Sequence, residues 1–178
     1  MNLFNHFLIV STSATISAPL FAADYLTEAQ AQKILFPAAD KFIKLDIELT
    51  SEQLDKIKDQ SGVRQRNKKP LIWRVEAKGI VIGFFFVDEV IGKHEYITYS
   101  LGITSKGETL GIEIMSYRET HGGEVRNETW RKNFVGKKLS DVFKLDVDVP
   151  NISGATLSCR NILDGVKRLL ILQRTING

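Results

Sequence analysis

Small residues and hydroxyls gather at one place in the chain, Ser153-Gly154-Ala155-Thr156-Leu157-Ser158, at the start of a helical repeat. Ala155, Cys159, Ile162, Val166 and Leu169 recur at alternating steps of four and three, and Leu163 and Leu170 widen the same stripe. This is the pattern of an amphipathic helix with one buried face. The first amides of a helix have no intrahelical partners and lie at the positive end of its dipole, which stabilises a nearby anion by roughly 0.3–1 kcal/mol. Ser153 reads as the N-cap, while Gly154 and Ala155 leave room for a phosphate to approach. A plain capped helix with no ligand uses the same residues, and spacing alone leaves both readings open.

A second candidate is Glu119-Thr120-His121-Gly122-Gly123, which follows the last strand-like run. Paired glycines there allow backbone amides to approach a flat ring, or make a strand-to-helix turn and nothing more. Glu119 either accepts amide hydrogen bonds and orients its loop or is a surface charge. Leu157 and Ser158 follow the helix mouth directly, and Ser158 either bonds a phosphate or satisfies the first turn. Trp130 and Phe134, four apart, favour core packing over cofactor stacking.

The segment Ile152-Ser153-Gly154-Ala155-Thr156-Leu157-Ser158 resembles the Ser-Gly-Ala-Thr flavinylation motif of the bacterial FMN-binding domain family, which includes the C component of the sodium-pumping NADH:quinone reductase and the G component of the Rnf complex. Two further blocks are similar in the family's order: Tyr117-Arg118-Glu119-Thr120-His121-Gly122-Gly123-Glu124-Val125 and Trp130-Arg131-Lys132-Asn133-Phe134-Val135-Gly136-Lys137. The resemblance covers roughly residues 75 to 172. It implies FMN as cofactor, a flavin transferase as partner, and esterification of the FMN phosphate to Thr156. It also places Glu119, Thr120, His121, Gly122 and Gly123 beside the flavin, where His121 would donate a hydrogen bond to the ring or tune its potential. The flavinylation pattern often carries an acidic residue six before the threonine. Pro150 stands there in this chain, with Asp148 two residues earlier.

Other chemistries lack their residues. Beyond residue 23 the only histidines are His94 and His121, with no Cys/His set at zinc spacing, so no metal site is expected. There is no Gly-x-Ser-x-Gly elbow, no Gly-x-x-x-x-Gly-Lys-Ser/Thr loop and no Gly-x-Gly-x-x-Gly turn. Cys159, the only cysteine, falls on the buried stripe and can form no intrachain disulfide. The flavin that the resemblance implies would have to receive its electrons from another protein, so the chain reads as an electron carrier between redox proteins. The alternative is a non-redox or sensory module that holds FMN or another phosphorylated ligand noncovalently.

Composition agrees with a single folded domain. The 178 residues are 43% hydrophobic and 25% charged, and 24 basic against 21 acidic side chains give a net charge of +3, too balanced for nucleic acid as the main partner. Residues 1 to 23 carry no Lys, Arg, Asp or Glu and end in Ala18-Pro19-Leu20-Phe21-Ala22-Ala23. They read as a signal peptide, with an uncleaved membrane anchor as the rival, which places the domain at 24–178 in the periplasm, exported and either free or tethered to the inner membrane. Arg64, Arg66, Lys68 and Lys69 form a basic run that reads as a solvated loop or a docking patch for a membrane redox complex.

Several elements must position these residues. Thr27 with Gln30 and Thr50 with Gln53 open two helices, the second ending near Gly62. Between them, 38–49 suggests an extended passage. Strand patterns run over 71–77, 80–87, 96–103 and 110–117, with a hairpin turn at Ser105-Lys106-Gly107-Glu108, and the continuous apolar run of 80–87 is typical of a strand buried on both faces. The expected fold is α+β: an antiparallel meander flanked by N-terminal helices and a long C-terminal helix.

Overall fold

The computed structural model describes residues 23–177, so the predicted leader lies outside the described residues apart from Ala23. Six antiparallel strands form one sheet in the order β1-β6-β5-β4-β3-β2. They are β1 (Ala23–Asp24), β2 (Lys41–Lys44), β3 (Leu71–Ala77), β4 (Ile80–Ile91), β5 (Tyr96–Thr104) and β6 (Thr109–Tyr117). The expected α+β meander is present, with β1 and β2 added at its two edges.

Both N-terminal helices, α1 (Glu28–Leu35) and α2 (Ser51–Ser61), open with the reciprocal hydrogen bonds of a capping box, from Thr27 to Gln30 and from Thr50 to Gln53. Helix α2 stops at Gly62, whose φ of 78° is a left-handed cap. The passage at 38–49 is a strand only over Lys41–Lys44, where it pairs with β3. Strand β4 outruns its expected end by four residues, and its first residue Ile80 is 68% exposed rather than buried. The run is double-sided in its middle alone. Phe84 and Phe86 face the larger core with Ile72, Leu101 and Ile103, while Phe85 joins Trp73, Val75 and Met115 on the opposite face.

Each face has its own cover. Helix α1 supplies Ala31 and Leu35 to the smaller core. The larger core lies under α2 and α4 (Thr156–Asn177), and every residue of the predicted α4 stripe is buried in it, with Cys159, Ile162 and Val166 fully so. Among the described residues no helix is long and apolar enough to cross a membrane. Between β6 and α4 the chain crosses the larger core as short turns and α3 (Glu128–Arg131). Trp130 and Phe134 pack edge to face at 5.0 Å inside it, as core residues. The Trp130 indole donates to the Pro150 carbonyl at 2.8 Å and so fixes the approach to α4.

Candidate functional site

Antiparallel alternation decides which loops meet. Strands β4 and β6 run the same way, so the β4–β5 tip at 92–95 and the exit from β6 at 118–123 emerge at one end of the sheet. The register pairs Ile91 with Tyr96 and Ile97 with Tyr117. The beginning of α4 arrives at the same end, where the Asn161 amide donates to the Ile91 carbonyl at 2.7 Å.

The mouth of α4 differs from expectation in one respect. Ser153 is not the N-cap. Ser153 and Gly154 occupy a tight turn closed by the Ala155 N–H on the Ile152 carbonyl at 2.9 Å, with Gly154 at φ 81°. The first helical bond, from the Cys159 N–H to the Ala155 carbonyl at 3.0 Å, makes Ala155 the capping position. Alanine has no oxygen to offer. Among the described residues no side chain accepts from the amides of Thr156, Leu157 or Ser158, so the donors remain directed outward.

A cavity of about 450 Å³ opens over this mouth, lined by Gly154, Ala155, Thr156, Leu157 and Ser158 on one side and by Glu119, Thr120, His121, Lys93 and His94 on the other. The structure thus brings the two predicted segments together. Ser153, Gly122 and Gly123 do not line it. Gly122 serves close packing instead: at φ 83°, a Cβ there would overlap that of Ala155 and lie 2.7 Å from the Tyr117 hydroxyl. Gly123 begins a short turn, where a Cβ would meet only ordinary contacts with Arg126.

Polar groups around the cavity are ordered by hydrogen bonds. The Tyr117 hydroxyl donates to the His121 carbonyl at 2.5 Å, and burial pushes its phenol up against the opposing hydrogen bond from Ser158. Glu119 accepts amide hydrogen bonds, but from the neighbouring tip: the N–H groups of His94 at 2.6 Å and Glu95 at 3.0 Å both donate to its Oε1. Burial opposes its charge, yet these bonds hold its carboxyl below the usual value. The Thr156 hydroxyl is exposed and accepts from the Asn151 amide at 3.2 Å. Burial pushes the Cys159 thiol up, as suits a packed side chain rather than a nucleophile.

Three chain segments, one uncapped helix mouth and the Gly122 contact all fall between residues 92 and 158. Residues 92–171 match the FMN-binding domain family. All three resembling blocks lie inside that match, and the cofactor is FMN. An 88-residue stretch is 33% identical to the G component of the ion-translocating oxidoreductase complex of Shewanella oneidensis, covering 43% of this chain and 42% of that one. The match therefore spans less than half of that relative. NqrC of Shewanella oneidensis superposes with a TM-score of 0.53 at 17% identity, over 80% of this chain and 73% of its own. The C component of the Na(+)-translocating NADH-quinone reductase of Parabacteroides distasonis gives 0.51 at 14%, over 83% and 84%. At such identities the superpositions establish the fold.

The residues present fit an FMN-binding domain. Amides without acceptors and an exposed hydroxyl suit a phosphate, and about 450 Å³ is within the range of cofactor sites. Among the described residues no cluster of His, Cys, Asp or Glu suits a metal. Lys93 and His94 escaped the sequence reading. The available signal was topological, since alternate hairpin tips of a meander share one end of the sheet.

Proposed function

We propose that this chain is an exported flavoprotein carrying FMN esterified through its phosphate to Thr156, and that it passes electrons between redox partner proteins. The observation that supports this most is the exposed Thr156 hydroxyl in a cavity beside three amides that no side chain accepts from. In forming the ester the Thr156 oxygen bonds to the flavin phosphorus and loses its proton, while the bond from that phosphorus to the leaving group of a phosphoanhydride-activated FMN donor breaks and the leaving group departs with the proton. Relative to the free chain and FMN, the product gains one FMN less one water. Bound FMN supplies reversible redox chemistry. The protein's part is to retain and orient it: the amides of 156–158 stabilise the remaining phosphate charge, and Glu119, Thr120 and His121 form the facing wall. The domain spans 24–178 behind a leader or anchor at 1–23, and its partners are a flavin transferase and membrane or periplasmic redox proteins. That the Shewanella relative belongs to an oxidoreductase complex supports such partners.

The test is intact mass after co-expression with a flavin transferase. A gain of one FMN less one water, absent in Thr156→Ala, supports the ester; an unmodified, colourless chain overturns it.

A second reading, noncovalent FMN, draws on the approach to the motif. The nearest acidic residue before Pro150, Asp148, is engaged by Lys137 at 3.0 Å and by the Lys144 N–H at 3.1 Å, so its carboxylate is not free to take the place Pro150 vacates. Flavin absorbance lost on denaturation and desalting selects this reading, and absorbance retained selects the ester.

A further inference from the structure

The β4–β5 tip is tied down more firmly than a turn requires. Its own closure is one bond, from the Gly92 N–H to the Glu95 carbonyl at 2.7 Å. Glu119, from the neighbouring exit of β6, adds two charge-assisted bonds to the amides of His94 and Glu95. Gly92 is the residue that permits this, because a Cβ at 92 would overlap the Glu119 carboxylate. The clasp holds Lys93 at the cavity wall, opposite the mouth of α4. Among the described residues Lys93 makes no ion pair, so its charge is not committed elsewhere.

We propose that Glu119 is a positioning residue that pins the β4–β5 tip so that Lys93 presents its ammonium to the phosphoryl group held at the mouth of α4. This rests on the FMN reading above. In it the phosphoryl group is gripped from two sides, by helix amides and by one mobile-stemmed cation whose backbone is fixed. Lys93 then selects for a phosphorylated flavin over the same ring without phosphate. In this role the Glu119 carboxylate acts on the phosphoryl group through the amides of 94 and 95 rather than directly.

The experiment titrates FMN and, separately, riboflavin into the full flavin-free chain expressed without a transferase, following flavin fluorescence. Lys93→Ala is expected to weaken FMN binding roughly tenfold, the scale of one charge-assisted contact, and to leave riboflavin binding unchanged. Glu119→Gln and Gly92→Ala disturb the clasp from its two sides. Each is expected to weaken FMN binding more than riboflavin binding and to add little to the loss of FMN affinity in combination with Lys93→Ala, since both act through it. Hydrogen exchange at amides 93–95 of the flavin-free chain should rise in Glu119→Gln while the core stays protected. Unchanged FMN affinity in Lys93→Ala, equal losses for FMN and riboflavin, or additive effects in the double variants overturn the proposal and leave the FMN reading standing. A parent chain that binds no FMN without the transferase also overturns this proposal, while the ester reading is decided separately by intact mass after co-expression.

Discussion

Helix α4 treats polar groups in opposite ways along its length. In its middle, Arg168 is only 3% exposed, and its guanidinium pairs with Asp88 while also donating to the Arg64 carbonyl at 3.4 Å. The Tyr99 hydroxyl completes the arrangement by donating to the same Asp88 oxygen at 2.9 Å. Burial raises the Asp88 carboxyl despite Arg168, and it pushes the Tyr99 phenol far above its ordinary value. Here the charges are matched internally, although the buried Arg168 Nε has no partner among the described residues, and the cluster is structural. At the first turn the amides of 156–158 have no side-chain acceptor and the Thr156 hydroxyl faces outward. The difference separates scaffold from site: donors left uncommitted beside a cavity indicate a ligand, whereas a buried charge matched by its partners indicates a fold.

The strongest way to break that comparison is Asp88→Ala. It strands the Arg168 charge in the core, so urea unfolding should show a loss of about 3–5 kcal/mol. Asp88→Asn, whose amide oxygen can still accept from Tyr99 and Arg168, should cost less. Neither should reduce flavin loading while the chain remains folded. A folded Asp88 variant that no longer takes flavin would mean that the two regions are one unit. Gly122→Ala comes next. The overlap with Ala155 and the positive φ should cost about 1–3 kcal/mol and, unlike Asp88→Ala, should disrupt the cavity and abolish flavin loading in the surviving folded protein.

Acidification sharpens the contrast because its sign differs between the regions. Glu119 is held below its unfolded value, near 4.3, so its stabilisation is complete above that pH and disappears as pH falls through the folded value. Asp88 is raised, so protonation is easier in the folded state, and its titration works the other way as pH falls. Protection factors at amides 93–95 should therefore fall as pH drops below the ordinary glutamate range, before those of β4 and α4. Simultaneous loss would unite the regions.

Much of this was legible because its signals are local. Both capping boxes, the Gly62 stop, the alternating strands and the α4 stripe depend on residues within a few positions of one another. The motif at 153–158 and the loop at 119–121 were visible for the same reason. Ser153 misled because a hydroxyl before a helix usually caps it, while here Gly154 takes φ 81° and the turn advances the helix start to Thr156. The leading hydrophobics of β4 misled because the same run serves two environments along its length. Lys93 and His94 were missed because nothing in their neighbourhood announces a site, and the contact of Glu119 with their tip spans 25 residues. Asp88 with Arg168 was hidden likewise by a separation of 80.

The smallest effect on stability should accompany the largest effect on function. Thr156 is exposed, and its one side-chain bond, with Asn151, joins two exposed residues. Thr156→Ala should thus change unfolding free energy by no more than about 0.5 kcal/mol, and threonine contributes no better helix propensity than alanine at that position. Flavin attachment should vanish all the same, because Thr156 is the exposed hydroxyl at the helix mouth, whereas Thr120, the other exposed hydroxyl lining the cavity, lies on the facing wall. Ser153 lies outside the cavity, and Ser158, though it lines the cavity, is buried with its side chain. Thr156→Ser tests the geometry further: it retains the oxygen, so intact mass should still show the flavin. Retained mass gain in Thr156→Ala would locate the acceptor elsewhere, and a stability loss of several kcal/mol would make the helix mouth a structural element like the Arg168 cluster.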